Sequence, residues 1–164
     1  MAQYEFVTTW HLDAPPGPVW MAIADSASWP RWWPSVRRVV LLRMGDESGV
    51  GTVSRYEFRG RLPYTLAFEM RATVVDPPRA LEGVASGELR GIGQWRLAPE
   101  GDGTVVTYRW AVETTQWWMN ILAPLLRPVF VANHDYVMAS GEQGLRRYLA
   151  TPSATGDSAG TASH

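Results

Sequence analysis

The chain has 164 residues, a formal charge of −1, no cysteine, and fifteen basic residues that are all arginine. That length suits one domain able to bury roughly 70% of its unfolded surface without a disulfide or metal staple. The composition excludes thiol nucleophiles, thiolate metal sites, Schiff-base chemistry on a lysine and a Walker-type phosphate loop, and it offers no net basic surface for nucleic acid.

At the N-terminus there is no basic segment followed by an apolar run, so the expectation is a cytoplasmic protein without a secretory signal. Residues 3–12 read as a strand, with Tyr4, Phe6, Trp10 and Leu12 on one face by period-two alternation. Asp13 stands near a helix start, and Pro15, Pro16 and Pro18 suit a first turn; Val19, Trp20 and Ile23 then form a short apolar stripe ending near Asp25. Ser28 is expected to cap a second short turn that carries Trp29, Trp32 and Trp33 and closes at Pro34.

Six strands follow, over 36–44, 52–59, 64–75, 80–85, 88–98 and 104–114, separated by turn residues such as Gly45 to Gly49, Asp76-Pro77-Pro78 and Glu100 to Gly103. Gaps this short favour antiparallel hairpins over parallel crossovers. From Gln116 to about Ala150 the pattern is helical, with Phe130, His134, Met138, Gly141 and Leu145 at three- and four-residue steps. Pro124 and Pro128 are expected to kink or restart that helix. The apolar run over 121–132 is broken by these prolines and Arg127, and falls short of the ~20 residues that span a bilayer. Residues 151–164, small and polar, are expected to form a disordered tail behind a domain over 1–150.

Strand, two short helices, six strands and one long helix is an α+β order with the helices on one side of a curved antiparallel sheet of about seven strands. That order, together with Pro18-Val19-Trp20, the segment Trp29-Pro30-Arg31-Trp32-Trp33-Pro34, residues 91–97 and 103–110, and Asn133-His134 with Gly144-Leu145 on the last helix, resembles the START/SRPBCC superfamily. Within it the chain looks most like the bacterial polyketide cyclase/dehydratase and lipid-transport group, over about residues 3–150. The resemblance implies a helix-grip fold, a sheet wrapped around the long C-terminal helix, and a hydrophobic ligand held between them. Only some members of the superfamily do chemistry there.

Alternation names the side chains expected on the cavity face. They are Tyr56 and Phe58 on the third strand, Leu66, Phe68, Met70 and Val74 on the fourth, Gly93, Trp95 and Leu97 on the sixth, and Val106, Tyr108, Trp110 and Val112 on the seventh. A bulge would move any of these by one residue and reverse its face. The helix adds Phe130, Asn133, His134 and Met138, while Trp29 and Trp33 are expected at the cavity mouth. The candidate ligand-binding set is thus Trp29, Trp33, Tyr56, Phe58, Phe68, Met70, Trp95, Tyr108, Trp110, Phe130, Asn133, His134 and Met138. The competing reading is that these residues simply fill a core.

His134 is the candidate acid or base, with Tyr108 beside it, because imidazole titrates near neutrality. Tyr108, Tyr56 and Asn133 are its candidate partners. Asp135, next along the helix, points about 100° away and is not expected to orient it. No metal or cofactor is expected: His11 lies on the opposite strand face from Phe6 and Trp10, no Gly-x-Ser-x-Gly elbow is present, and Gly91-x-Gly93 lacks a third glycine.

The leading expectation is binding, transport or sequestration of a hydrophobic small molecule such as a lipid, quinone or aromatic polyketide. The alternative is a cyclase/dehydratase that uses His134 with a tyrosine. A monomer or homodimer is expected, with no nucleic-acid partner and with transient membrane contact through Trp29, Trp32 and Trp33.

Overall fold

The computed structural model describes residues 2–151, so the tail expected beyond Thr151 lies outside the described residues. In chain order the elements are β1 (Gln3–Leu12), α1 (Pro16–Ala24), a 3-10 turn (Ser26–Ser28), α2 (Trp29–Trp32), β2 (Val36–Arg43), β3 (Val53–Phe58), β4 (Leu66–Asp76), β5 (Ala80–Gly87), β6 (Leu89–Glu100), β7 (Gly103–Thr114) and α3 (Trp117–Ala150). Each element matches a segment expected from periodicity and turn residues, with ends displaced by no more than two residues, as fraying boundaries usually are.

Seven strands make one fully antiparallel sheet in the order β1-β7-β6-β5-β4-β3-β2. Hairpins join β2 through β7 in sequence. β1 returns beside the last strand, in register from Gln3 opposite Glu113 to Leu12 opposite Thr104. Register shifts interrupt the β2–β3 ladder twice and the β4–β5 ladder between Ala72 and Val74. Bulges of this kind add twist, which curls a sheet around what it covers.

What it covers is α3. Its buried residues, Met119, Ala123, Val137, Met138, Gly141 and Leu145, line the stripe that the three- and four-residue spacing marks out. The helix runs without interruption through Pro124 and Pro128, contrary to the expected restart. Both prolines are exposed, on the side of the helix away from the core, and each leaves one carbonyl four residues earlier without its helical donor.

Two short helices plug one end of the wrap. α1 begins with prolines in its first turn, buries Val19, Trp20, Ala22 and Ile23, and stops where the Asp25 N–H donates to the Met21 carbonyl. Ser28 does not cap α2; its hydroxyl donates backward to the Asp25 carbonyl at 2.7 Å. Here the large aromatics meet. The Trp33 ring centroid lies 5.4 Å from that of Trp10 and 5.2 Å from that of Trp29, and Trp10 lies 5.4 Å from Trp95.

Glycines on α3 allow this closeness. A Cβ at Gly141 would stand 2.7 Å from the Trp33 indole and 2.9 Å from Trp10, and one at Gly144 would land on the Trp32 carbonyl oxygen. The Trp33 indole N–H then donates to the Val137 carbonyl, fastening α2 to α3. The other end of α3 is fixed by Asn120, whose Oδ1 accepts from the Ala2 N–H at 2.8 Å and the Thr114 hydroxyl at 2.7 Å.

Candidate functional site

Between the concave sheet face and α3 lies a cavity of about 520 Å³. Its walls are built by strand alternation. On β3, Ser54, Tyr56 and Phe58 point inward, while Arg55 and Glu57 take the other face; on β4, Leu66, Phe68, Met70 and Ala72 do the same. Aromatic rings pave the surface, with Tyr56 stacked 5.8 Å from Phe68, Phe58 5.7 Å from Phe68, and Trp95 4.1 Å from Tyr108.

All thirteen residues named from the sequence as candidate ligand contacts line this one cavity. Three placements differ from expectation. Past the bulge at Ala72/Val74, Val75 rather than Val74 reaches the cavity, because one inserted residue flips the face. The cross-strand pair Leu97 and Val106 is buried in the core and does not line the space. Trp29 and Trp33 are packed into the closed end, not set at a mouth; Trp33 is only 2% exposed. With Trp32 also buried, none of the three indoles named for membrane contact presents a surface to a bilayer. The exposed indole is Trp117, at the start of α3 on a stripe with Ile121 and Leu125. No helix of the described residues is long and apolar enough to cross a membrane.

His134 stacks on Phe6 with ring centroids 3.8 Å apart, and neither ring nitrogen has a hydrogen-bond partner. Burial pushes its pKa below the ordinary histidine value, and the Asp135 carboxylate opposes that shift only in part. The nearness of Asp135 departs from expectation: Oδ1 stands 3.7 Å from Nδ1, yet too far for a hydrogen bond. None of Tyr108, Tyr56 and Asn133 hydrogen-bonds the imidazole. Tyr4, two residues before Phe6 on the same strand face, also lines the cavity with a buried, unpartnered hydroxyl. Burial raises its pKa, and the Arg127 guanidinium, 4.8 Å over its ring, works against that.

A second polar group gathers where β3 faces the turn after α1. The Tyr56 hydroxyl lies beside those of Ser26 and Ser54, and its pKa is raised by burial and lowered in part by these two neighbours. Burial also pushes the Tyr108 phenol up, with a smaller push from Tyr56. Both phenols are therefore neutral donors over the physiological range. The carboxylate on the cavity wall is Glu82, which already binds Arg96 at 2.8 Å and accepts from Gln94. His11 lies apart on the outer face, its Nδ1 3.3 Å from Glu100, and among the described residues no three His, Cys, Asp or Glu gather as metal ligands.

A strap over residues 60–64 borders the cavity through Gly60, Leu62 and Tyr64. Asn133 holds one end: its Oδ1 accepts from Arg61 N–H at 2.9 Å and Leu62 N–H at 3.4 Å. Its oxygen is thus committed to the backbone, not free for a ligand. Glu88 holds the other end, accepting from the Tyr64 hydroxyl at 2.9 Å, the Ala67 N–H at 2.7 Å and Gln116 at 3.2 Å. Sequence reasoning missed Glu88, Tyr64 and Tyr4 as site residues. Only Tyr4 carried a usable signal, its shared face with Phe6 and Trp10.

The family model described as polyketide cyclase / dehydrase and lipid transport matches residues 3–150. No curated protein matches the chain. Among solved structures, TTHA0849 from Thermus thermophilus is similar at 18% identity and a TM-score of 0.72, over 90% of this chain and all of that one. The START superfamily protein from Mycobacterium smegmatis gives 11% identity and a TM-score of 0.71, over 88% of this chain and 98% of that one. The di-domain ARO/CYC BexL from the BE-7585A biosynthetic pathway gives 18% identity and a TM-score of 0.71; the match covers 92% of this chain and 51% of that longer one. At such identities the likeness is one of fold.

Proposed function

The chain belongs to the polyketide cyclase / dehydrase and lipid transport family, and from that premise we propose that it binds a hydrophobic small molecule in the cavity between sheet and α3, as a carrier or a sequestering protein. The observation that carries this reading is the cavity itself: about 520 Å³ of space walled by stacked aromatic and aliphatic side chains. A volume of a few hundred Å³ is what small-molecule sites enclose. Burying roughly 200 Å² of apolar ligand surface there contributes about 5 kcal/mol before the entropy lost on association is subtracted.

Native mass spectrometry of freshly purified protein, followed by tryptophan-fluorescence titration with quinones, aromatic ketones, long-chain alcohols and fatty acids, tests the proposal. Trp29, Trp33, Trp95 and Trp110 line the cavity, so an occupant should quench them saturably. A protein without adduct whose fluorescence ignores the whole panel would remove the reading.

One observation favours a second reading, an acid–base step on the bound molecule. Desolvation holds the His134 pKa below the ordinary histidine value, which favours the neutral ring, and neither ring nitrogen has a hydrogen-bond partner in the protein. In that reading His134 takes or returns a proton while the Tyr108 phenol donates a hydrogen bond to a ligand carbonyl. His134→Ala should then abolish turnover of a bound ketone while changing its affinity only a few-fold.

A further inference from the structure

The chain carries fifteen arginines, and none of them lines the cavity. The formal negative charge on its wall, Glu82, is already answered by Arg96. What the cavity offers an occupant is a set of neutral polar groups in two places. One is the hydroxyl group around Tyr56, Ser26, Ser54 and Tyr108; the other is the unpartnered pair of Tyr4 and His134. The first is built by β3, β7 and the turn after α1, the second by β1 and α3, and the rest of the lining is largely apolar.

We propose that this cavity selects neutral, oxygen-bearing apolar molecules such as phenols and ketones, and turns away carboxylates of the same shape. The proposal rests on the cavity-binding reading above and narrows it to a ligand class. A ketone or phenol oxygen exchanges hydrogen bonds with water for bonds to Tyr, Ser or His at little net cost. A carboxylate finds no unpaired cation on the lining, since Arg96 is spent on Glu82 and Arg127, over the Tyr4 ring, is not among the residues that line the space, so it enters only with the uptake of a proton. With an ordinary carboxyl pKa near 4.3, that requirement weakens binding at pH 7.3 by up to about a thousandfold.

Three compounds of nearly equal shape test this by isothermal titration calorimetry on the whole protein: 2-acetylnaphthalene, 2-naphthoate and 2-ethylnaphthalene. The ketone should bind at least about a hundredfold more tightly than the carboxylate at pH 7.3. Lowering the pH to 6.3 should tighten the carboxylate about tenfold and leave the ketone unchanged. The ketone should also match or exceed the hydrocarbon despite the water it gives up. A carboxylate that binds as well as the ketone, with no pH dependence, overturns the charge selection. A hydrocarbon tenfold tighter than the ketone overturns the oxygen recognition. If none of the three binds, this ligand-class inference is overturned, while the cavity-binding reading stands or falls separately on the wider fluorescence panel above.

Discussion

The indole N–H of Trp33 donates to the backbone carbonyl of Val137 over 2.8 Å, joining residues 104 positions apart and tying the short helix α2 to the middle of α3. That carbonyl also accepts from the Ser140 hydroxyl at 2.7 Å, and Ser140 in turn meets Ser35 at 3.0 Å. The closed end of the cavity is therefore held by a small buried polar network inside an aromatic cluster. Trp33→Phe removes the donor and part of the ring from a packed site. It should lower stability by about 2–3 kcal/mol, read as a fall in the urea midpoint at unchanged slope.

Glycine on α3 is a packing requirement, which reverses the usual effect of a helical Gly→Ala change. In a helix that change ordinarily stabilises by up to about 1 kcal/mol. At Gly144 the new methyl meets the Trp32 carbonyl, so Gly144→Ala should destabilise by about 2 kcal/mol or more. Gly17 on α1 has nothing within 4 Å of the same position, and Gly17→Ala should be neutral or slightly stabilising. Paired thermal melts of the two variants, moving in opposite directions, check the argument. Equal shifts would refute it.

His134 links stability to pH. Its folded pKa lies below the ordinary value of 6.5, so the unfolded chain takes up a proton first as pH falls. The stability associated with the neutral ring is present above pH 6.5 and is lost as pH drops from there toward the folded pKa. The slope in that window is at most about 1.4 kcal/mol per pH unit. His134→Phe keeps a flat ring against Phe6 and has nothing to titrate. Denaturation of the two proteins should diverge only below pH 6.5, with the variant the more resistant; parallel pH curves would contradict the account.

The strap over 60–64 depends on one amide oxygen. Asn133→Leu keeps the shape of the side chain and deletes the acceptor for the Arg61 and Leu62 N–H groups. Losing about 1 kcal/mol there should speed hydrogen exchange of the strap by roughly fivefold, while amides in β6 and β7 exchange as before. A uniform increase across the sheet would point instead to global destabilisation.

Period-two alternation in the sequence determined which faces of β1, β3, β6 and β7 turn inward, since neighbouring side chains on a strand must point to opposite sides of the sheet. Three- and four-residue spacing likewise marked the stripe of α3 that carries Phe130, His134 and Met138. The helix-grip order followed from turn residues and segment lengths. All of these are local properties, readable one segment at a time. Only the tertiary structure decided the bulge that exchanges Val74 for Val75, because register is a relation between two strands. It alone decided that Trp29 and Trp33 are enclosed, since that needs Gly141 and Gly144, more than a hundred residues away, to let α3 approach. Asn133 is committed to a backbone strap, Glu88 fastens the strap's far end, and no arginine reaches the cavity. Each depends on how a curved sheet closes over a helix, which no periodicity records.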